Sequence, residues 1–269
     1  MDVSFKITGM EELKKGLSDL AQKEFPYAMA KSLTRTAQDV QTAEVEEMKR
    51  VFDRPTPWTL NSVYIVPAKK DNLMATVWLK DDATYINYAG AVAGGNVGKS
   101  GTPASKFLWP EIFGGDRHLK RFEKALQYAG ILPPGMYCVP GQGAELDAYG
   151  NIKSGLIIQL ISYFKGFADV GYKANITEEG KAKLKRGTKK KRGYEYFAVT
   201  KTGAHLKPGI YRRVGFAWGS AIKPILMFVR KPSYRPRLDF FGVGNKVGEQ
   251  MLPRNFDLAL EDALRNTKF

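Results

Sequence analysis

Apolar positions recur along this chain at two spacings, and the switches between them mark out its elements. Residues 2–8 (DVSFKIT) alternate and predict a short strand. After Gly9, Met10, Leu13, Leu17 and Leu20 fall on one helical face that runs to about Lys23. Pro26 suits the first turn of a second helix. There Met29, Leu33, Ala37, Val40, Ala43 or Glu44, Met48 and Phe52 hold a helical period, opposite a charged face of Lys31, Arg35, Asp39, Glu46 and Lys49. Asp53-Arg54-Pro55-Thr56-Pro57 ends this helix, because proline disfavours helical backbone in the residue before it.

The spacing then falls to two. Ser62–Ala68 and Met74–Lys80 are rich in β-branched and aromatic residues and predict a hairpin with its loop at Lys69–Leu73. From Tyr85 to Lys106 the chain is rich in Gly, Ala and Ser and predicts an irregular connection. Trp109–Gly115 reads as an ordered loop leading into an amphipathic helix over Asp116–Tyr128, stopped by Gly130 and Pro133-Pro134. A Gly/Pro loop over Pro133–Gly143 precedes an apolar helix over Ser154–Phe167, and Gly166–Arg192 is weakly patterned. Tyr194–Val199, Gly209–Trp218 and Pro224–Arg230 read as strands, and Phe240–Asn266 as a helix kinked or broken at Pro253.

This order predicts an α+β fold, an antiparallel sheet packed by long N-terminal and C-terminal helices. Strands from both ends of the sequence would share that sheet. Residues 1–84 and 194–269 then form the core, and 85–193 a large irregular insertion holding two helices and a basic loop.

With 269 residues, 43% hydrophobic and 26% charged, the composition is that of a soluble globular protein. The longest apolar run, Ile222–Val229, is broken by Lys223 and Pro224 and falls far short of a membrane span. The N-terminus lacks the apolar region of a signal peptide. A single cysteine, Cys138, precludes an intrachain disulfide and a multi-thiolate zinc site, which suits assembly in a reducing cytosol.

The net charge of +15 is unevenly placed. Residues 1–50 hold eight Lys/Arg against nine Asp/Glu, whereas Lys181–Arg192 (KAKLKRGTKKKR) holds eight cations and no acid. Those cations, Lys181, Lys183, Lys185, Arg186, Lys189, Lys190, Lys191 and Arg192, are candidate contacts to a DNA backbone. The other reading is a solvated loop that leads into a strand, with Tyr194, Tyr196 and Phe197 facing the core. No helix-turn-helix or zinc-finger pattern points to sequence-specific readout.

Catalytic chemistry is poorly provided for. Ala93–Ser100 (AGGNVGKS) fits a loose phosphate-loop pattern, but no good strand precedes it and Gly101-Thr102-Pro103 cannot readily open a helix. His118 and His205 are the only histidines, and neither has a neighbouring nucleophile or acid in a triad-like pattern. The expectation is a non-enzymatic chain without metal or cofactor. Aromatic and proline residues instead suggest surfaces for other proteins. The candidate interface residues are Pro55, Pro57 and Trp58 in one segment, and Phe107, Trp109 and Phe113 in the other.

Several segments together resemble the minor tail and tail-completion family of tailed bacteriophages, which includes lambda-type tail-completion and head–tail joining proteins. They are Phe5–Leu20 (FKITGMEELKKGLSDL) with Ala28–Val40 (AMAKSLTRTAQDV), Val51–Ala68 (VFDRPTPWTLNSVYIVPA), and Leu108–Gly135 with Pro140–Ile161. The ending Tyr234–Leu264 is similar to the family's C-terminal strand and helix. The resemblance implies a virion structural protein, assembled in the host bacterial cytoplasm and sited in the neck or tail. It would form a ring with copies of itself and touch a connector, tail terminator or tail tube. Packaged DNA would pass the basic cluster, and no membrane would be involved. The middle block is longer than in compact members, and the basic cluster belongs to no pattern of that family.

Overall fold

The computed structural model describes residues 2–6, 19–80, 103–167, 174–201, 205–216 and 218–266. The glycine-rich 93–100 motif and most of the helix expected after Gly9 lie outside them. The fold is α+β with antiparallel sheets, and its long N- and C-terminal helices pack on strands. The chain divides into two compact units, 1–115 with 235–269 and 116–234.

In the first unit, α1 (Asp19–Val51) carries Met29, Leu33, Ala37, Val40, Glu44 and Met48 as one buried stripe. The spacing of three and four residues is that of a helix face turned inward. Pro26 lies inside α1 rather than starting a new helix. Strands β1 (Asp2–Lys6), β2 (Val63–Val66) and β3 (Met74–Leu79) form an antiparallel sheet with β3 central. Val63 faces Leu79 and Ile65 faces Val77 across the β2–β3 pair, and Ala75, Val77 and Leu79 are buried in the same core as Leu33, Val40 and Met48. A single helical turn, α2 (Pro57–Leu60), lies between α1 and β2, capped by the Thr56 hydroxyl, which accepts from Thr59 N.

Segment 104–113 is a helix, α3 (Ala104–Phe113), and not the ordered loop expected around Trp109–Gly115. Pro110 sits inside it and removes one helical hydrogen bond. Burial of Ala104, Leu108 and Ile112 at four-residue spacing outweighs that loss.

The last element of this unit, α7 (Phe240–Asn266), continues through Pro253. It packs along α1, with Ala259 and Ala263 against Ala28. Asn255 donates to Thr36 Oγ1 and Asp39 Oδ2 (3.1 and 2.7 Å), and Lys31 donates to Asp262 (2.8 Å).

The second unit contains α4 (Arg121–Tyr128), β4 (Met136–Pro140), α5 (Ser154–Tyr163), α6 (Glu178–Arg186), β5 (Tyr194–Val199), β6 (Gly209–Phe216) and β7 (Gly219–Arg230). Its antiparallel sheet runs β4-β7-β6-β5. The strands of 194–230 therefore pair with one another and with β4, not with the N-terminal strands. The reason is β4 itself, which lies in what reads as a Gly/Pro loop. Met136–Pro140 faces Arg230–Leu226 and supplies the edge that closes the sheet. The unit boundaries accordingly fall at 115/116 and 234/235, in place of 84/85 and 193/194.

Pro224, which cannot donate within a ladder, lies where the β6–β7 register shifts between Ile210 and Tyr211. Leu126, Leu132, Leu156, Leu160, Tyr196, Ile210, Ile225 and Leu226 make the core. The helix expected over Asp116–Tyr128 is shorter, because Arg117 and Lys120 serve its N-terminus. Glu123 Oε2 accepts from Lys120 N (2.7 Å), and both its oxygens accept from Arg117 (2.5 and 2.7 Å).

Candidate functional site

The basic cluster of the second unit is ordered by helix and turn, not carried on a loop. Thr177 caps α6, its hydroxyl accepting from Gly180 N (3.1 Å). Glu178 and Glu179 lie in the first turn and Lys183, Lys185 and Arg186 in the last, matching the helix dipole at each end. Gly187 ends α6 at φ +73°, where a Cβ would meet Gly193 N at 2.3 Å, so only glycine fits. Lys191 N donates to Thr188 O and Thr188 N to Lys191 O (3.2 and 2.8 Å), and Gly187 bridges Arg192. Lys189, Lys190, Lys191 and Arg192 are thus displayed, exposed, on a closed turn directly before β5.

The eight cations divide into two groups. Lys181 bonds Glu178 (3.2 Å) and lies over the Tyr163 ring, and Lys185 bonds Glu195 (2.9 Å). Glu195 also takes Arg213 (3.0 Å), and the Lys185 hydrogen bond chiefly holds its carboxyl below the ordinary range. Among the described residues, Lys183, Arg186, Lys189, Lys190, Lys191 and Arg192 have no carboxylate partner.

The aromatics that follow the cluster in sequence serve the fold. Tyr196 is buried edge-on to Tyr163, Tyr194 Oη accepts from Gln159 (2.6 Å), and Phe197 stacks on Tyr211. The exposed aromatics stand elsewhere. The β6–β7 hairpin closes at the Phe216–Gly219 pair and runs past the end of β5, whose last partner on β6 is Val214. Trp218 stands at the tip, 96% exposed, with Phe216 exposed on one face of the hairpin and Ile222 on the other. The guanidinium of Arg192 lies 4.8 Å from the centre of the Phe216 ring, so turn and hairpin tip form one surface. Sequence reasoning placed Trp218 at a strand end and missed it. The usable signal was an indole between Gly215 and Gly219, where a hairpin turn has no core to fill.

In the first unit, α3 presents Trp109 and Phe113 on one outward face, four residues apart and each 48% exposed. This face is rigidly mounted. Arg237 forms a two-nitrogen ion pair with the Glu111 carboxylate, and the N–H groups of Arg237 and Leu238 donate to Glu111 O (2.8 and 2.9 Å). A terminal helix carbonyl that would otherwise lack a partner is thereby satisfied. Phe113 rests against Phe241 (6.1 Å between centroids). Trp58, on α2, is 53% exposed, Pro57 is exposed and Pro55 half-buried. Phe107 is half-buried and packs against the core.

The remaining reactive groups have structural surroundings. His118 and His205 are exposed. Cys138 is buried, and burial, with Glu123 nearby, pushes its thiol up to about 12. Among the described residues, no group of three or more His, Cys, Asp or Glu side chains is placed to hold a metal ion, and no helix is long and apolar enough to cross a membrane. No family model, curated protein or solved structure matches this chain.

Proposed function

We propose that this chain is a structural protein of a tailed-phage virion. It would act at the head–tail junction through ring assembly and contacts with neighbouring neck or tail proteins. The observation that carries this reading is the outward face of α3, where Trp109 and Phe113 are exposed on a helix pinned by Glu111 and Arg237. Large exposed aromatics on a rigid support have the character of interface anchors, since burying them against a partner costs little side-chain entropy. Replacing Trp109 and Phe113 together by Ala tests it. The expected result is an unchanged thermal transition, with loss of the chain from purified virions. Unchanged incorporation would reject the reading, and so would global unfolding, which would make both rings core residues.

A second reading, non-specific contact with a DNA backbone, is favoured by the six cations without carboxylate partners. Contacts of this kind release counterions, so the logarithm of affinity should fall steeply with that of salt. Neutralising Lys189, Lys190, Lys191 and Arg192 should flatten the slope, and an unchanged slope would reject it.

A further inference from the structure

We propose that the tip of the β6–β7 hairpin is a stacking site for unpaired nucleobases, with the neighbouring basic turn binding the phosphates on either side. The proposal rests on the backbone-contact reading of that turn and adds an occupant for the aromatic tip. Trp218 is almost fully exposed, and Phe216 exposes further apolar surface on the face that Arg192 covers. Such a tip has no role in the core of its own unit, which is made by Tyr196, Ile210, Leu226 and their neighbours.

The charge around the tip indicates what covers it. Arg192 lies on the Phe216 ring, Lys189–Lys191 precede it on the same turn, and Lys223 is exposed on β7, four residues after Gly219. Glu195, on the strand that follows the turn, is already held by Lys185 and Arg213. An apolar protein partner would leave these cations desolvated without counter-charge, at considerable cost. A nucleic-acid strand supplies both needs together, anionic phosphates for the turn and flat rings for the indole. Exposed aromatics interleaved with cations are the usual means of holding single strands without regard to sequence. A base-paired duplex keeps its rings in the stack and would engage the cations alone.

The test compares binding of a fluorescent oligothymidine and a DNA duplex of equal length to the full chain at low and moderate salt. Wild type, Trp218→Ala, Trp218→Phe and the four-fold neutral variant of Lys189–Arg192 would be measured. Trp218→Ala should weaken oligothymidine binding about tenfold, the scale of one lost stacking contact, and leave duplex binding unchanged. Trp218→Phe should recover most of the loss. The neutral variant should lose both ligands. Equal affinity of Trp218→Ala and wild type for oligothymidine would overturn the stacking site while leaving the phosphate reading intact. No loss in the neutral variant would overturn the phosphate reading beneath it. Binding of both DNAs unaffected by either change, with Trp218-dependent binding to phosphatidylserine vesicles, would assign the tip to a lipid surface instead.

Discussion

The buried stripe of α1 contains one residue that opposes folding at neutral pH. Glu44 occupies the position between Val40 and Met48, is fully buried, and neither of its carboxylate oxygens has a hydrogen-bond partner. Burial first, then the charges of Glu47 and Asp239, raise its pKa from 4.5 to about 9. In the unfolded chain the carboxyl is ionised at pH 7, whereas in the fold it is protonated. The sign follows from linkage. Stability is greatest below the unfolded value and falls as pH rises toward the folded value, because the fold then holds a proton that the unfolded chain has released. Each pH unit in that window costs about 1.4 kcal/mol, so the loss is about 3 kcal/mol at pH 7. That is a large part of the ~5–15 kcal/mol that holds a typical domain folded.

Glu44→Gln keeps the shape and puts an unpartnered amide where the unpartnered carboxyl stood, but removes the titration. It should match wild type near pH 4.5 and gain about 1.4 kcal/mol per unit of pH above that, levelling off near pH 9. Urea unfolding at half-unit pH steps would measure the difference, with hydrogen exchange of α1 and α7 amides reporting this unit by itself. A wild-type-to-variant difference independent of pH between 5 and 8 would refute the reasoning. It would mean that Glu44 is ionised and solvated in the fold.

Three further outcomes follow from buried or constrained groups. Glu123 is fully buried and accepts from Arg117, Lys120 N and Cys138 N, so Glu123→Ala should destabilise the second unit by about 3–5 kcal/mol, read as a lowered urea midpoint, because it strands the Arg117 charge. Cys138 should resist a thiol-specific disulfide reagent at pH 8 in the native protein and react at once in urea; fast native labelling would contradict its burial and its raised pKa. Gly187→Ala should disrupt the basic turn, giving local loss of protection at residues 188–193 and weaker duplex binding, with the helix content retained; protection unchanged in that turn would show that the close approach to Gly193 is not required.

The parts of the fold legible in the sequence are those where one periodicity operates alone. The α1 stripe, the β2–β3 hairpin and α7 all follow from spacing, since each buries a single face against its neighbours. The parts that were not legible involve a local signal overridden by packing at a distance. Pro110 reads as a helix breaker, yet α3 forms around it because Leu108 and Ile112 reach the core and Arg237, more than a hundred residues later, clamps Glu111. Gly135 and Pro140 read as a loop, yet Tyr137 and Cys138 between them complete a sheet whose other strands lie beyond residue 194. No window of adjacent residues contains either partner. For the same reason strand existence was predictable but strand pairing was not, and the unit boundaries moved with the pairing.

The candidate surfaces divide along the same line. Charge is countable in sequence, so the eight cations of 181–192 were visible, and so was their distinctness from the neutral first fifty residues. Which of them are available to a ligand depends on carboxylates brought in by the sheet. Glu195 removes Lys185 from the set only because β5 and α6 meet. Aromatic roles depend still more on register. Tyr194, Tyr196 and Phe197 adjoin the cluster in sequence and are absorbed by the core, whereas Phe216 and Trp218, some twenty-five residues on, return to it through the β6–β7 hairpin. A pairing shifted by one residue would turn Phe216 away from Arg192 and Tyr196 out of the core together, because alternate positions on a strand face opposite sides. The register that fills the core of this unit is therefore also what joins its charged turn to its exposed aromatic tip. A substitution that slipped that register should abolish core protection and the proposed nucleic-acid binding in a single step.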